Sequence, residues 1–303
     1  MDEQQAAAMF AEHRTYLIGV AYRVLGMVSD AEDVVADAWP RWREHAADVT
    51  TPRAWLTTVV ARLALDHLRS ARVQRERYVG PWLPEPVVTA VGQPLRAAPE
   101  DPLARLVREE EVRFALLVIL ETLTPEQRVA VVLHDVLGVP FAAVADVLGC
   151  EVATARQHAL RGRRRMADAG DPPAAAPAET ARVLADLATA LRNGDVDAVA
   201  AALAPDVVLL SDGGGDVAAP RSPLLGRMQV TRFLVALGTG HPGQYELQPV
   251  LVNGQPGTVV WLHAAKPREP TVTVLLIEVG PAGVHRLLSV AAPAKLTRLP
   301  TTG

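Results

Sequence analysis

A single cysteine, Cys150, stands in the 303 residues. No internal disulfide can form, and a reducing cytoplasm is the compartment that fits. With one thiol and histidines that lack ligand spacing, no metal site is expected, and no cofactor motif is found. No apolar run approaches the length that crosses a bilayer. Phe114 to Leu120 is a short one inside an amphipathic helix, so no membrane association is expected. The opening MDEQQAAAMF is acidic and lacks the charged-then-apolar layout of a secretion signal. Surplus positive charge is missing as well: 30 Lys and Arg face 34 Asp and Glu, a net charge of −4. Binding to nucleic acid must then rest on a local patch and not on a global field. Lys266 and Lys295 are the only lysines, so such a patch has to be built from arginine.

What is present is half hydrophobic and a fifth charged, the composition of a soluble chain long enough for two or three domains. The most informative stretch runs from Thr124 to Met166. Thr124-Pro125-Glu126-Gln127 is a capping box with proline at the first helical position. The helix it starts carries Val129, Val132, Leu133 and Val136 on one face, and Gly138 stops it. A short helix from Pro140 to Leu148 has the stripe Phe141, Val144, Ala145 and Leu148, and Gly149 ends it. After Cys150-Glu151 a third helix starts at Val152. Its small residues Val152, Ala155, Ala159, Gly162 and Met166 share one face, which packs on the helix before. The opposite face carries Gln157, Arg161 and Arg164, flanked by Arg156, Arg163 and Arg165. This is the pattern of a helix-turn-helix. Arg and Gln read guanine and adenine edges in the major groove, and the additional arginines suit phosphates. Charge runs are usually solvated faces, but here helix, stop, turn and basic helix all stand in order.

Upstream, residues from about Ala6 to Arg77 read as helical. Phe10, Leu17, Ala21, Val24 and Leu25 form a stripe that ends at Gly26. Ser29-Asp30-Ala31-Glu32 reads as a second capping box, opening a helix that buries Ala31, Val34, Val35, Ala38 and Trp42. Asp30, Asp33 and Asp37 recur on another face as an acidic ridge. A turn, Glu44 to Thr51, leads to a helix beginning at Pro52, with Leu56, Val59, Val60, Leu63 and Leu68 inside. It ends basic, with Arg62, Arg69, Arg72, Arg75 and Arg77, and has Trp55 and Arg53 near its start. Arginines with exposed aromatics suit a nucleic-acid backbone and unstacked bases, though a solvated helix with a core Trp fits the same residues.

Between Tyr78 and Pro102 prolines recur too often for a helix, which makes a linker with Trp82 and Leu83 as docking side chains. A helix is expected from Leu103 to Leu123. Ala169 to Ala178 is a second linker. Beyond it, helices are expected over Glu179 to Arg192, Val196 to Leu203 and Gly226 to Leu237. Strands are expected at Asp206 to Ser211, Tyr245 to Val252, Thr258 to Ala264, Thr271 to Val279 and Val284 to Ala291. The turns between them fall at Asp212-Gly213-Gly214-Gly215, Asn253-Gly254, Pro256-Gly257 and Gly280 to Gly283. This is an α+β domain with a curved sheet wrapped on helices.

DAEDVVADAW, TPRAWLTTVVARLALDHLRS and LTPEQRVAVVLHDVLGVPFAAVADVLG together resemble a bacterial RNA polymerase sigma factor of the extracytoplasmic-function branch. YVGPWLPEP, the DGGG turn and VNGQPG narrow the resemblance to the group with a SnoaL-like carboxy-terminal extension. The fold implied is multidomain: two all-α domains, the second a helix-turn-helix, followed by an α+β SnoaL-like cone. The corresponding segments are 1–78, a linker 79–102, 103–168, a linker 169–178, and 179–303. The implied partners are core RNA polymerase and promoter DNA, with intramolecular contact between the extension and the other two domains adjusting activity. By position, Asp30, Glu32, Asp33 and Asp37 correspond to the polymerase-clamp surface. The loop Glu44 to Thr51 would hold a flipped minus-ten base, and the helix with Arg62, Arg69 and Arg72 would run along the promoter. Gln157 and Arg161, with Arg156 beside them, match the positions that read the minus-thirty-five element. Asp212, Gly213, Gly214 and Gly215, with Trp82, Leu83 and Pro84, make up the regulatory turn and linker. The chain departs from the family where it has Asp216 after the glycines, Glu151-Val152 at the start of the recognition helix and Ala292-Pro293-Ala294-Lys295-Leu296 near the end.

Two other classes fit parts of the sequence. SnoaL-like cones include enzymes, whose chemistry needs a carboxylate or histidine base in an apolar pocket. The candidates are Asp212, His263, His285, Tyr245 and Glu278, but a turn role for Asp212 and ordinary strand positions for the histidines explain them better, and no catalytic residue is assigned. A one-component repressor would have no use for an acidic ridge and a long basic helix.

Overall fold

The computed structural model describes residues 2–75, 80–91, 112–168, 170, 175–263 and 266–299, side chains 71–75 aside. The chain forms two units: Met1–Arg77 with Glu100–Asp171, and Tyr78–Pro99 with Pro172–Gly303. The expected helix over 103–111 lies outside the described residues, as do Arg77 and half of the second linker.

The first unit opens with three helices, α1 (Glu3–Leu25), α2 (Val28–His45) and α3 (Pro52–Arg75). Asp2 caps α1 in a reciprocal capping box with Gln5, and Gly26, at φ +74°, ends it. Leu17, Tyr22, Leu25, Trp42, Leu56 and Leu65 are fully buried between the three. The Trp42 indole keeps its donor satisfied by bonding to the Ala6 carbonyl at 2.9 Å.

Three expectations need correction here. The box at Ser29 to Glu32 does not form: α2 begins at Val28, with Met27 as an N-cap that makes no side-chain bond. Only Met27 separates the Gly26 stop from Val28, which is itself buried, so burial starts the helix two residues early. On α3 it is Leu65 that is buried, while Leu63 is half-buried. Trp55 is not an exposed stacking surface: it lies half-buried with its ring 5.8 Å from Trp42 and 5.5 Å from His45.

The rest of the unit is α4 (Phe114–Leu120), α5 (Pro125–Val131), α6 (Phe141–Leu148) and α7 (Val152–Asp168). The Thr124–Gln127 capping box is formed in both directions. Behind α5 the chain widens into one π-helical turn, Val132–Val136. That extra residue per turn rotates Val136 out to 41% exposure, where a regular helix would have kept it inside. Gly138 and Gly149, at φ +69° and +66°, supply the two left-handed stops.

The second unit contains β1 (Val88–Ala90), α8 (Pro177–Asn193), α9 (Val196–Ala202), β2 (Leu203–Asp212), β3 (Leu224–Leu225), α10 (Arg227–Gly240), β4 (Tyr245–Val252), β5 (Gln255–Leu262), β6 (Val272–Gly280) and β7 (Gly283–Val290). The sheet order is β1-β4-β5-β6-β7-β2-β3, antiparallel except for the β2–β7 pair. Leu187, Val199, Leu209, Val230, Leu234 and Leu287 are among the residues that pack the helices onto one face of the sheet. The expected α+β cone is therefore present. Asn253 and Gly254, both at positive φ, close a two-residue hairpin in which Val252 already pairs with Gln255. Pro256-Gly257 consequently lies within β5 and not in a turn. Gly257 is needed there because a Cβ would stand 2.7 Å from a Val252 methyl. Strand β1, formed from the linker, is the element the proline-rich composition had concealed.

Candidate DNA, polymerase and linker-docking sites

Helix α7 is set on the first unit by its small face. Ala155, Ala159 and Gly162 are buried, and a Cβ on Gly162 would meet a Val131 methyl at 2.6 Å. That close approach turns the other face outward: Arg156, Gln157, Arg161, Arg164 and Arg165 are all exposed. Arg156 lies over the Phe141 ring, 5.6 Å from its centroid, and Phe141 stacks on His134 at 3.7 Å. Arg163, in contrast, is tied to Asp135 at 2.9 Å, bracing α7 against the turn after α5. Cys150 sits in the turn before α7. Burial, helped by the Glu151 carboxylate, pushes its thiol up, away from the reactive thiolate. Behind the helices a buried ion pair joins Arg128 of α5 to Glu121 at the end of α4.

Two arginines expected along the promoter are engaged within the unit. Arg62 donates to the Asp146 carbonyl at 2.9 Å, at the surface of α6. Arg69 holds Glu126 at 3.0 Å. Partial burial opposes the charge on Glu126, but its own backbone amide and the Arg69 guanidinium outweigh that and hold the carboxyl below the ordinary glutamate range. Both side chains make these protein contacts while remaining exposed. The Arg72 side chain is outside the described residues.

The acidic ridge divides. Asp33 and Asp37 are exposed on α2, with Glu32 partly so. Asp30 turns toward α3 and meets His67 at 3.1 Å. Nothing in the spacing of α2 singles out His67, since the contact is made across two helices.

In the second unit the linker is held at the Asp212 end of β2 and along the edge of β4. Leu83 is completely buried and Pro84 buried. The Leu83 amide donates to one Asp212 carboxylate oxygen at 2.8 Å, and the other oxygen accepts from the Gly214 amide at 2.9 Å. Lys295 completes the clamp. Its ammonium lies 2.7 Å from Asp212, bonds the Leu83 carbonyl, and stands 3.8 Å from the centre of the Trp82 ring. Asp212 and Lys295 are 0% and 7% exposed, so this pair is shielded from solvent. The glycines have a steric role: a Cβ on Gly213 would press on the Val217 carbonyl, and Gly214 is at φ +66°. Further along, Asn253 accepts from the Val87 amide at 3.0 Å and returns its own amide to the Val87 carbonyl at 2.8 Å. Sequence reasoning left Asn253 as a turn residue and did not place Lys295 in a site. The available signal was that Lys295 is one of two lysines, inside a stretch of alanine and proline.

The five residues considered for catalysis do not form one site: Glu278 and His285 are near each other on β6 and β7, and the other three lie elsewhere. Asp212 is in the clamp, and His263 is exposed 3.8 Å from Glu246. Glu278 bonds Arg286 at 3.2 Å, burial pushing its carboxyl up against that arginine's pull. Tyr245 lines a cavity on the helix-covered side. Among the described residues no helix is long and apolar enough to cross a membrane, and no group of His, Cys, Asp and Glu could hold a metal.

Two segments of the chain match known protein families. Residues 9–73 match Sigma-70 region 2, and residues 113–166 match Sigma-70, region 4. The chain is 42% identical to the ECF RNA polymerase sigma factor SigJ of Mycobacterium tuberculosis, over 96% of this chain and 93% of that one. It is 35% identical to the probable ECF RNA polymerase sigma factor SigI of the same organism, over 66% and 68%. The crystal structure of Mycobacterium tuberculosis SigJ superposes with a TM-score of 0.77 at 39% identity, covering 98% of this chain and all of that one.

Proposed function

Because this chain belongs to the extracytoplasmic-function sigma factors of RNA polymerase, we propose that it binds core polymerase through α2 and directs initiation at promoters read by α7 and α3. Its cone then adjusts that activity through the linker. Segment 1–78 engages the clamp and the minus-ten element, 103–168 the minus-thirty-five element, and 179–303 is regulatory. Proteins of this family initiate transcription and catalyse no reaction of their own. The site of action is the cytoplasm, where polymerase and promoter meet.

The observation that carries the reading is the outward face of α7. Gly162 and the two alanines fix the helix by close backbone approach, so Gln157, Arg161 and Arg164 project together from a rigid mount. Side chains of these types on a presented helix read base edges, while Arg165 at the helix end suits a phosphate. On α2, Asp33 and Asp37 offer paired negative charge to a basic partner surface. The linker supports the regulatory role: it joins the two helical segments in sequence, yet is gripped by Asp212, Lys295 and Asn253 of the cone. Grip or release there changes the reach available between the promoter-reading segments. Arg62 and Arg69 are exposed on α3, and engagement of a promoter there competes with their contacts to Asp146 and Glu126.

Transcription from a promoter library by polymerase carrying this chain tests the reading. Arg161→Ala should cost about 1–3 kcal/mol and relax base preference at the upstream element. Arg165→Ala should weaken all sequences alike and reduce the salt slope by about 1. Uniform loss in both variants would remove the base-reading assignment. Cutting the chain after Asp168 should change promoter-directed transcription several-fold, and identical output from the two forms would remove the regulatory role of the cone.

A further inference from the structure

The cone holds a half-open pocket of about 490 Å³ lined by α8, α10 and the helix-covered face of the sheet. Ligand pockets span roughly 300–1,000 Å³, and an apolar protein cavity of about 150 Å³ already takes up benzene. The walls are mainly aliphatic, with Leu187, Leu209, Phe233, Leu247, Val260 and Leu275 among them. Apolar walls offer water too few partners to hold it well. The ionisable side chains on the lining are Tyr245, His241 and Glu269. The last two form a mutual pair at 3.3 Å, and Glu269 also accepts from the Lys266 amide at 2.7 Å. The Glu269 carboxylate is thus already engaged by His241 and by the Lys266 amide. The remaining polar groups are hydroxyls, and the buried ones, Ser211 and Ser289, sit side by side at 3.4 Å on the paired strands β2 and β7.

The position of that hydroxyl pair matters. Successive residues of a strand face opposite sides of a sheet. Ser211 therefore looks into the cavity while Asp212, the next residue, grips Leu83 of the linker on the other side. Strand β7 leads in the same way from Ser289 to Ala291, which lines the cavity and donates its amide to the Asp212 carbonyl at 2.8 Å. Ala292, next along, is the residue against which Gly214 of the turn packs. One short piece of backbone thus has the cavity on one side and the linker clamp on the other.

We propose that the cone binds a neutral, largely hydrocarbon small molecule whose single hydroxyl or carbonyl group reaches Ser211 and Ser289, and that its occupancy is transmitted to the linker through the Asp212 clamp. Binding rests on the cavity alone. Transmission rests in addition on the regulatory reading above. A ligand changes an equilibrium only by its difference in affinity for two states, so the two clamp states must present the hydroxyl pair differently.

The test uses the full-length protein and Nile red, a neutral apolar dye whose emission shifts to the blue in a dry site. One saturable site with a blue shift is expected, together with a rise in melting temperature on saturation. Ala188→Trp and Thr258→Phe each fill the cavity from a different wall, and both should abolish the site while keeping or raising the melting temperature of the free protein. Hydrogen exchange at the Leu83 and Val87 amides should change several-fold on saturation with dye. Dye binding that survives both filled variants would place the dye on the surface and overturn the proposal. Binding that is lost in both, with no change at Leu83 and Val87, would overturn transmission. Polymerase binding, measured on the same samples, separates these failures from a failure of the sigma-factor reading, because neither filled variant touches α2.

Discussion

Replacing Lys295 with methionine should release the linker from the cone without unfolding it. The substitution keeps the unbranched stem and removes the ammonium. With it go the ion pair to Asp212 at 2.7 Å, the bond to the Leu83 carbonyl and the contact with Trp82. Removing one partner of a buried ion pair costs about 3–5 kcal/mol, because the other charge stays buried without compensation. Asp212 would keep the amides of Leu83 and Gly214, which argues for the lower end of that range. At 1.36 kcal/mol per decade, about 3 kcal/mol corresponds to roughly a hundredfold faster local opening. The assay is amide hydrogen exchange on the full-length protein. Leu83 and Val87 should lose about two decades of protection, while Val259 and Val274 in the middle of the sheet keep theirs. Asp212→Asn combined with Lys295→Met should recover part of the loss, since no buried charge is left behind. If Leu83 exchanges as in the unmodified protein, the ion pair does not hold the linker. Equal acceleration at Val259 and Val274 would mean global unfolding, and the clamp argument would fail in that way instead.

Reversal of Asp33 and Asp37 to lysine should abolish binding to core polymerase in a pull-down while circular dichroism hardly changes, because both residues are exposed and outside the α2 core; normal assembly would sink the assignment. Gly162→Ala should destabilise the helix-turn-helix by about 1–3 kcal/mol despite alanine's better helix propensity, because the new Cβ meets a buried, branched Val131. A lower melting temperature that Val131→Ala restores would confirm the cause. The Arg69–Glu126 contact should show a defined pH dependence. The carboxyl is depressed in the folded state, so the stabilisation is complete above the ordinary glutamate value of about 4.3 and is lost as pH falls through the lower folded value. The stability difference between this chain and Glu126→Gln, on the order of 0.5 kcal/mol for so exposed an arginine, should be present at neutral pH and vanish in acid. A difference that persists in acid would mean that the contact is not ionic.

Where a feature depends on neighbours in the chain, residue order alone determined it. The Thr124–Gln127 box, the stops at Gly26, Gly138 and Gly149, the buried face of α2 and the strand from Tyr245 to Val252 all follow from local capping, from positive φ at glycine or from periodicity. The outward face of α7 was legible too, because small residues at helical spacing leave only one side free to present arginine. What escaped were contacts between residues far apart in sequence. Asp30 meets His67 across two helices, and Arg62 and Arg69 meet residues more than fifty positions away. The linker gains a strand only because β4 offers it a free edge. Lys295 reaches Leu83 over 212 positions and Asp212 over 83. No local rule marks such a lysine. Its role comes from the sheet, which brings the strand end at Asp212, the Leu83 carbonyl and the Trp82 ring around one buried ammonium group.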